Sequence, residues 1–359
     1  MTKRFSAGLT AFVLTVILAG CASVDTPGPG SRVFATVETP SVGTVNADAA
    51  DDPAIWASAR PVMIRGVSTA GFVAGTDKKA GLYIYGLDGA VLQFLPAGLL
   101  NNVDVVEGLT VAGRAEVLIG ASDRTPGRMG VSLYLFDAAA TAADNAVRPW
   151  GVIASDLGEP YGFCFGRRDG QIHAVLVGKD GQVRQMIVSV DAAGAPVGRE
   201  VRRFAVGSIS EGCAVDEASD ALFIGEELVG VWRYGFDPAS GAARTSVGVA
   251  GGDRLTADVE GATILNDGDK RYLIVSSQGD SAFAVWRIDG AEPVYSGRFA
   301  VHAGDRTDAV TGTDGIDALG GAVGPFPEGL VVVQDDVNDR TTQNFKYIDW
   351  RDIRTALGL

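Results

Sequence analysis

Histidine is almost missing from this 359-residue chain, which has only His173 and His302, and cysteine is limited to Cys21, Cys164 and Cys213. Neither histidine belongs to an HExxH motif, and no C-x-x-C pair exists to hold zinc. Both histidines read as ordinary surface or core residues. There is no RHGxRxP, neither Cys164 nor Cys213 opens a C-x5-R loop, and no G-x-S-x-G elbow occurs, so histidine, cysteine and serine nucleophiles are disfavoured. Sialidase and WD-repeat signatures are absent as well. Helical periodicity is scarce, and only "WRDIRTAL" near the C-terminus reads as a helical turn or two. Positive charge is also short: 30 Lys and Arg face 44 Asp and Glu, for a net charge of −14. Such a surface repels nucleic acid and anionic lipid, and it repels phosphate unless metal ions intervene.

Glycine, in contrast, is plentiful. The 48 glycines are roughly twice the usual share of about 7%, which suits a globular chain rich in turns. At the N-terminus Lys3 and Arg4 precede the apolar run "LTAFVLTVILAG", which is too short to span a bilayer comfortably. "LAGC" at 18–21 resembles the bacterial lipobox. Residues 1–20 are therefore expected to be a lipoprotein signal and Cys21 the lipidated anchor. Residues 21–32 are expected to be a Pro/Gly/Ser tether, with the protein exported to the outer membrane. Ala22, in place of an aspartate, favours that destination. Removing Lys3 and Arg4 takes the charge from −14 to −16. In such a compartment disulfides persist, and the sequence leaves open whether Cys164 and Cys213 pair.

Short β-rich runs such as "GLYIYGL", "AEVLIGAS", "HAVLVG", "ALFIGE", "YLIVSSQ" and "GLVVVQ" fill the rest. A larger pattern links them. "PYGFCF", "SEGCAV", "VEGATI" and "TDGIDAL" place glycines at 162, 212, 261 and 315, with successive spacings of 50, 49 and 54. Earlier units lie at "NNVDVVEGLTV", where Asp104 and Glu107 both compete for the matching position, and at "DDPAIW". Six units of about 50 residues predict an all-β, six-bladed β-propeller of four-stranded antiparallel blades spanning 33–359.

In a propeller, equivalent positions of every blade face one end of the channel. The register gathers Asp51, Asp52, Glu211, Glu260 and Asp314, with Glu226 and Glu227 from a turn. From the turns of the first half come Lys78, Lys79, Arg124 and Lys179. So many crowded carboxylates need a cation, and hard oxygen donors point to calcium before zinc or copper. The neighbouring cations suit phosphate or carboxylate groups. With no nucleophile motif, the phosphate chemistry left is attack by metal-activated water.

At this point the stretches "DAADDPAIW", "TDKKAGLYIYGLDG", "LNNVDV", "EPYGF", "SEG", "GDRLTADVEGATI", "SSQGDSAF", "TDGIDALG" and "QNFKYIDW" resemble, in order and over nearly the whole mature chain, the β-propeller, calcium-dependent phytases. The resemblance implies hydrolysis of the phosphomonoesters of myo-inositol hexakisphosphate, free or as the calcium salt. The attack would be in line, by calcium-bound water, with no phosphoenzyme. It implies several calcium ions held by Asp51, Asp52, Glu211, Glu227, Asp258, Glu260, Gln278, Asp308 and Asp314 and the carbonyls of Pro53 and Val103. It implies phosphate held by Lys78, Lys79, Arg124, Lys179 and Tyr161, with Glu211 or Glu260 fixing the ions and taking the proton of the attacking water. Asp123 and Gly312 depart from the pattern of relatives and suggest fewer peripheral calcium sites. A monomer is expected. The alternatives are a calcium propeller lactonase or esterase, which needs an apolar pocket over its ion, and a non-catalytic binding propeller.

Overall fold

The computed structural model describes residues 27–338 and 341–359; Cys21 and the expected signal lie outside them. Six sheets stand in a ring. Blade 1 runs through Ala50–Ile64, Val67–Asp77, Gly81–Tyr85 and Val91–Pro96, and blade 2 through Leu100–Val111, Arg114–Asp123, Gly130–Phe136 and Arg148–Ala154. Blade 3 uses Pro160–Arg168, Gln171–Gly178, Gln182–Val190 and Pro196–Ala205, and blade 4 uses Ser210–Asp216, Ala221–Glu226, Gly230–Gly235 and Arg244–Val249. Blade 5 is built from Val259–Asp267, Lys270–Ser277, Ala282–Arg287 and Val294–His302. Blade 6 takes Ile316–Gly320, Gly329–Asn338 and Thr342–Asp349 from the end of the chain and Val37–Glu38 from its start, which closes the ring. Ser31–Phe34 adds a parallel fifth strand to blade 5. The fold is a six-bladed β-propeller.

The repeating glycines have a steric cause. A Cβ on Gly162 would fall 1.9 Å from the carbonyl oxygen of Glu211, and one on Gly212 would fall 2.1 Å from that of Glu260. Each inner strand thus presses its glycine against the backbone of the next blade's acidic residue, which only a bare Cα allows. Gly261 and Gly315 meet Asp314 and Asp51 in the same way, and there the backbone N–H groups also donate to those carbonyls, at 3.1 and 3.0 Å.

Blade faces pack pairwise. Trp56 and Phe72 of blade 1 meet Phe136 of blade 2, with ring centroids 5.2 to 5.6 Å apart. His173 is buried against Phe236 and bonds Gln185 through its Nδ1 at 3.1 Å, so it belongs to the core. Cys164 and Cys213 form a disulfide between the inner strands of blades 3 and 4, which closes the question the sequence left open. "WRDIRTAL" is a helix, Trp350–Leu357, capped by the Asp349 carboxylate, which accepts from the Arg351 N–H, and ended by Gly358 in the left-handed region.

Candidate active site

Five of the six blades break their first ladder at the same place. Between the first two strands the register slips at Asp51–Asp52, Asn101–Asn102, Tyr161, Glu211–Gly212 and Glu260–Gly261 in blades 1 to 5. Such a bulge re-aims a side chain out of the ladder, and here it directs one polar residue per blade to the channel mouth. In blade 6 Asp314 holds the corresponding place.

A second ring follows from a backbone bond that recurs. The residue that ends each second strand's run to the mouth donates its N–H to a carbonyl two residues ahead of the bulge. Lys78 donates to Ala49, Arg124 to Leu99, Lys179 to Glu159, Glu227 to Ile209 and Gln278 to Asp258, at 2.6 to 3.0 Å. Three cations therefore stand in blades 1 to 3, followed by an acid and an amide in blades 4 and 5.

These rings bring most of the expected residues together. Carboxylate oxygens of Glu211, Glu227 and Glu260, all buried, lie within 4.8 Å of one another. Lys78 is buried and its Nζ reaches Asp48 at 2.6 Å, Asp51 at 3.0 Å and Asp314 at 2.9 Å. Gln278 donates to the other oxygen of Asp314. The backbone N–H of Val103 donates to Asp52 at 3.0 Å, and Pro53 lines the channel beside it. The Lys179 ammonium lies 4.7 Å from the centroid of the Tyr161 ring. Arg124 pairs with Glu159 at 3.1 Å, and its charge also acts on Asp51. Asp258 sits close enough to push on the Glu227 carboxyl. Lys79 is exposed at the rim, its N–H donating to Asp77.

Two residues stand elsewhere. Asp308 pairs with the buried Lys346, in a separate group with Glu38 and Asp335. Glu226, the last residue of its strand, turns away from Glu227 in the turn that follows, accepting from Trp232 Nε1 at 2.6 Å and Ser208 at 2.7 Å.

Of the two competitors in blade 2, neither reaches the mouth. Asp104 accepts from the Phe165 N–H at 2.7 Å, and Glu107 from Trp56 Nε1 at 2.8 Å, so both tie adjacent blades. The position belongs to Asn101, whose Nδ2 donates to Glu211 Oε1 at 2.5 Å. A cavity of about 460 Å³ runs down the channel below the mouth. Of the acids that line it, Asp104 and Asp317 are used as blade ties, Asp317 accepting from the Ile55 N–H at 2.7 Å. The chemistry therefore sits at the mouth.

Burial and crowding set the electrostatics. Burial, then Asp51, pushes Glu211 up to about 8, and burial pushes Asp314 up to about 7 although Lys78 pulls it down. Glu260 is raised well above the usual range by burial and by Glu211, and Asp52 by burial and by Asp51. Burial alone would lower Lys78, but Asp314, Asp51 and Asp48 outweigh it and hold the ammonium charged. The Tyr161 phenol is kept protonated by burial and by Glu211 and Glu260. Glu227 Oε1, Glu260 Oε2, Asp51 Oδ2 and Asn101 Oδ1 are buried without a hydrogen-bond partner. Such orphaned oxygens beside one another form the donor set of a hard cation. The group of three glutamates contains neither sulfur nor imidazole, and so it fits calcium better than a softer metal.

Comparison with known proteins agrees with this chemistry. A family model described as phytase matches residues 6–359. The 3-phytase of Bacillus subtilis (strain 168) is 34% identical over 335 residues, covering 91% of this chain and 86% of the relative. Among solved structures, a GH43_1 enzyme from Xanthomonas citri overlaps with a TM-score of 0.40 at 14% identity, over 65% of this chain and 83% of that one. BBS1N in complex with ARL6DN overlaps with a TM-score of 0.42 at 12% identity, over 80% and 77%. At those scores neither likeness bears on function. With a sequence relationship that spans nearly its whole length, the chain belongs to the phytase family.

Proposed function

We propose that the protein is a calcium-dependent phytase, a phosphoric monoester hydrolase that releases inorganic phosphate from myo-inositol hexakisphosphate. One observation carries this reading: Lys78, Arg124 and Lys179 occupy a single register in three adjacent blades, facing the Glu211, Glu227 and Glu260 carboxylates across one mouth. Rim cations suit a polyanion, whereas a lactonase or esterase would want an apolar wall over its ion.

Glu211, Glu227 and Glu260 would hold calcium, with Asp51, Asp52 and Asp314 beside them. When bound there, the ion supplies neutralisation of phosphoryl charge and acidifies water. The chain's own groups do the rest. Tyr161, protonated at all working pH values, donates a hydrogen bond to a phosphoryl oxygen. Lys78, Arg124 and Lys179 grip the remaining oxygens as charge builds on them. Glu211 or its neighbour Glu260 takes the proton of the attacking water. The new P–O bond forms as the ester P–O bond breaks in line, and the inositol oxygen leaves.

Incubating the mature chain with phytate tests the reading. Phosphate should be released with calcium and cease with chelator, and no release with calcium present would end the phytase assignment. We also read the protein as a monomeric outer-membrane lipoprotein anchored through Cys21. Mass spectrometry of the membrane-extracted chain should find Cys21 as an acylated N-terminus, and an unmodified Cys21 would remove the anchor.

A further inference from the structure

We infer that the mouth-side rim of blade 4 is a bilayer-docking surface, which tilts the propeller so that its cationic half faces solvent. Four apolar side chains stand exposed there: Ile209, Leu228, Val229 and Val249, with Leu228 71% and Val249 65% accessible. They come from three separate segments but form one patch. The Glu227 N–H donates to the Ile209 carbonyl at 3.0 Å, the Ala250 N–H donates to the Val229 carbonyl at 2.9 Å, and Val249 pairs with Gly230 across the ladder. Clustered exposed aliphatic side chains on a chain this acidic need an apolar partner.

The start of the fold identifies that partner. The Gly28 N–H donates to the carbonyl of Ser281, on the mouth-side turn of blade 5. From there the path to the patch is short: the Gln278 N–H donates to the Asp258 carbonyl, and the adjacent Val259 N–H donates to the Glu227 carbonyl, next to Leu228. Six residues lie between Cys21 and Gly28, a span of at most about 25 Å over the seven steps when fully extended. A lipid on Cys21 can therefore enter the membrane beside the blade 4 rim. The surface carries net negative charge, so the contact would be apolar, in the manner of side chains seated at the headgroup boundary. Blade 4 stands opposite blade 1 in a ring of six. Seating its rim on lipid lifts Lys78 and Arg124 away from the bilayer, and a soluble polyanion can reach the mouth from that side.

The inference rests on the anchor reading, and one experiment separates the two. The lipidated full-length protein, carrying an environment-sensitive dye on Leu228→Cys or on Val294→Cys at the far end of blade 5, is reconstituted into phosphatidylethanolamine vesicles containing a minor share of phosphatidylglycerol and doxyl-labelled lipid. The Leu228→Cys dye should shift to the blue and lose most of its emission to the doxyl quencher, while the Val294→Cys dye does neither. Equal behaviour at both positions would overturn the docking surface while leaving the anchor standing. A blue shift at Leu228→Cys without doxyl quenching would assign the patch to a second copy of this chain and also overturn it. Mass spectrometry of the same sample reads the acylation of Cys21, and its absence would remove both anchor and docking.

Discussion

Blades 1 to 3 and blades 4 to 6 offer the same backbone positions and fill them with opposite chemistry. The ring defined by the recurring N–H bond holds Lys78, Arg124 and Lys179 in the first half, and Glu227 and Gln278 follow in the second. At the bulge the first half has acids only in blade 1, Asp51 and Asp52, followed by Asn101 and Tyr161, whereas the second half has Glu211, Glu260 and Asp314, one in each blade. A repeat fold supplies convergence, and in the reading proposed above the side chains at two registers decide which half would grip phosphate and which half would bind a cation. Without a cation the second half is electrostatically unfavourable, as the raised carboxyls and orphaned oxygens record.

Substitutions can break this division one side at a time. Glu211→Gln removes charge from the acidic half and should lower kcat/KM by about 100-fold or more, read from phosphate release at saturating calcium. Lys179→Ala removes one charged hydrogen-bond donor and should cost about 2 kcal/mol, roughly 30-fold in kcat/KM, while calcium affinity stays intact. Loss of calcium binding in Lys179→Ala would erase the distinction between halves.

The boundary between the halves is covalent. Cys164 and Cys213 join blades 3 and 4, three residues beyond Tyr161 and two beyond Glu211. The pair is separated by 49 residues, so chain entropy alone gives it about 4 kcal/mol at most. Replacing both with alanine should lower the melting temperature by roughly 10 °C, as calorimetry would measure. An unchanged melting temperature would mean that blade packing alone fixes that seam.

Protons sharpen the comparison further. Glu211 and Asp314 carry folded-state values of about 8 and about 7, above the ordinary values of 4.5 and 3.8. The folded state thus binds more protons than the unfolded chain between those limits, and its stability falls as pH rises. In chelator, the contribution of these carboxyls is fully present below about pH 4 and is lost as pH climbs through 7 to 8. Calcium replaces the protons, so the rise in melting temperature on adding calcium should be larger at pH 8 than at pH 5. Thermal scans at the two values read it directly, and equal rises would contradict a carboxylate site.

Much of this arrangement is legible in the residues. The glycines at 162, 212, 261 and 315 mark the blades because a close approach between neighbouring inner strands excludes any Cβ there. Tyr161, Glu211, Glu260 and Asp314, one residue earlier, inherit that register. Asn101 escapes notice because it lies 60 residues before Tyr161, not 50, and because it is an amide at a position where an acid is expected. The hairpin between Phe136 and Arg148 in blade 2 takes up part of that extra length. Asp104 and Glu107 look eligible by charge, yet both face neighbouring blades. The ring closure at Val37–Glu38 is two residues long and carries no repeat signal. Glu226 ends a strand and Glu227 opens the turn after it, a boundary that two adjacent glutamates do not reveal.

The division of labour is tested most directly by calorimetric titration of calcium into the chelated protein and into its Glu211→Gln and Lys179→Ala variants. The wild type and Lys179→Ala should bind calcium alike, with Glu211→Gln weakened by about 100-fold. If Glu211→Gln binds as tightly as the wild type, the three glutamates are not the metal site and the account fails.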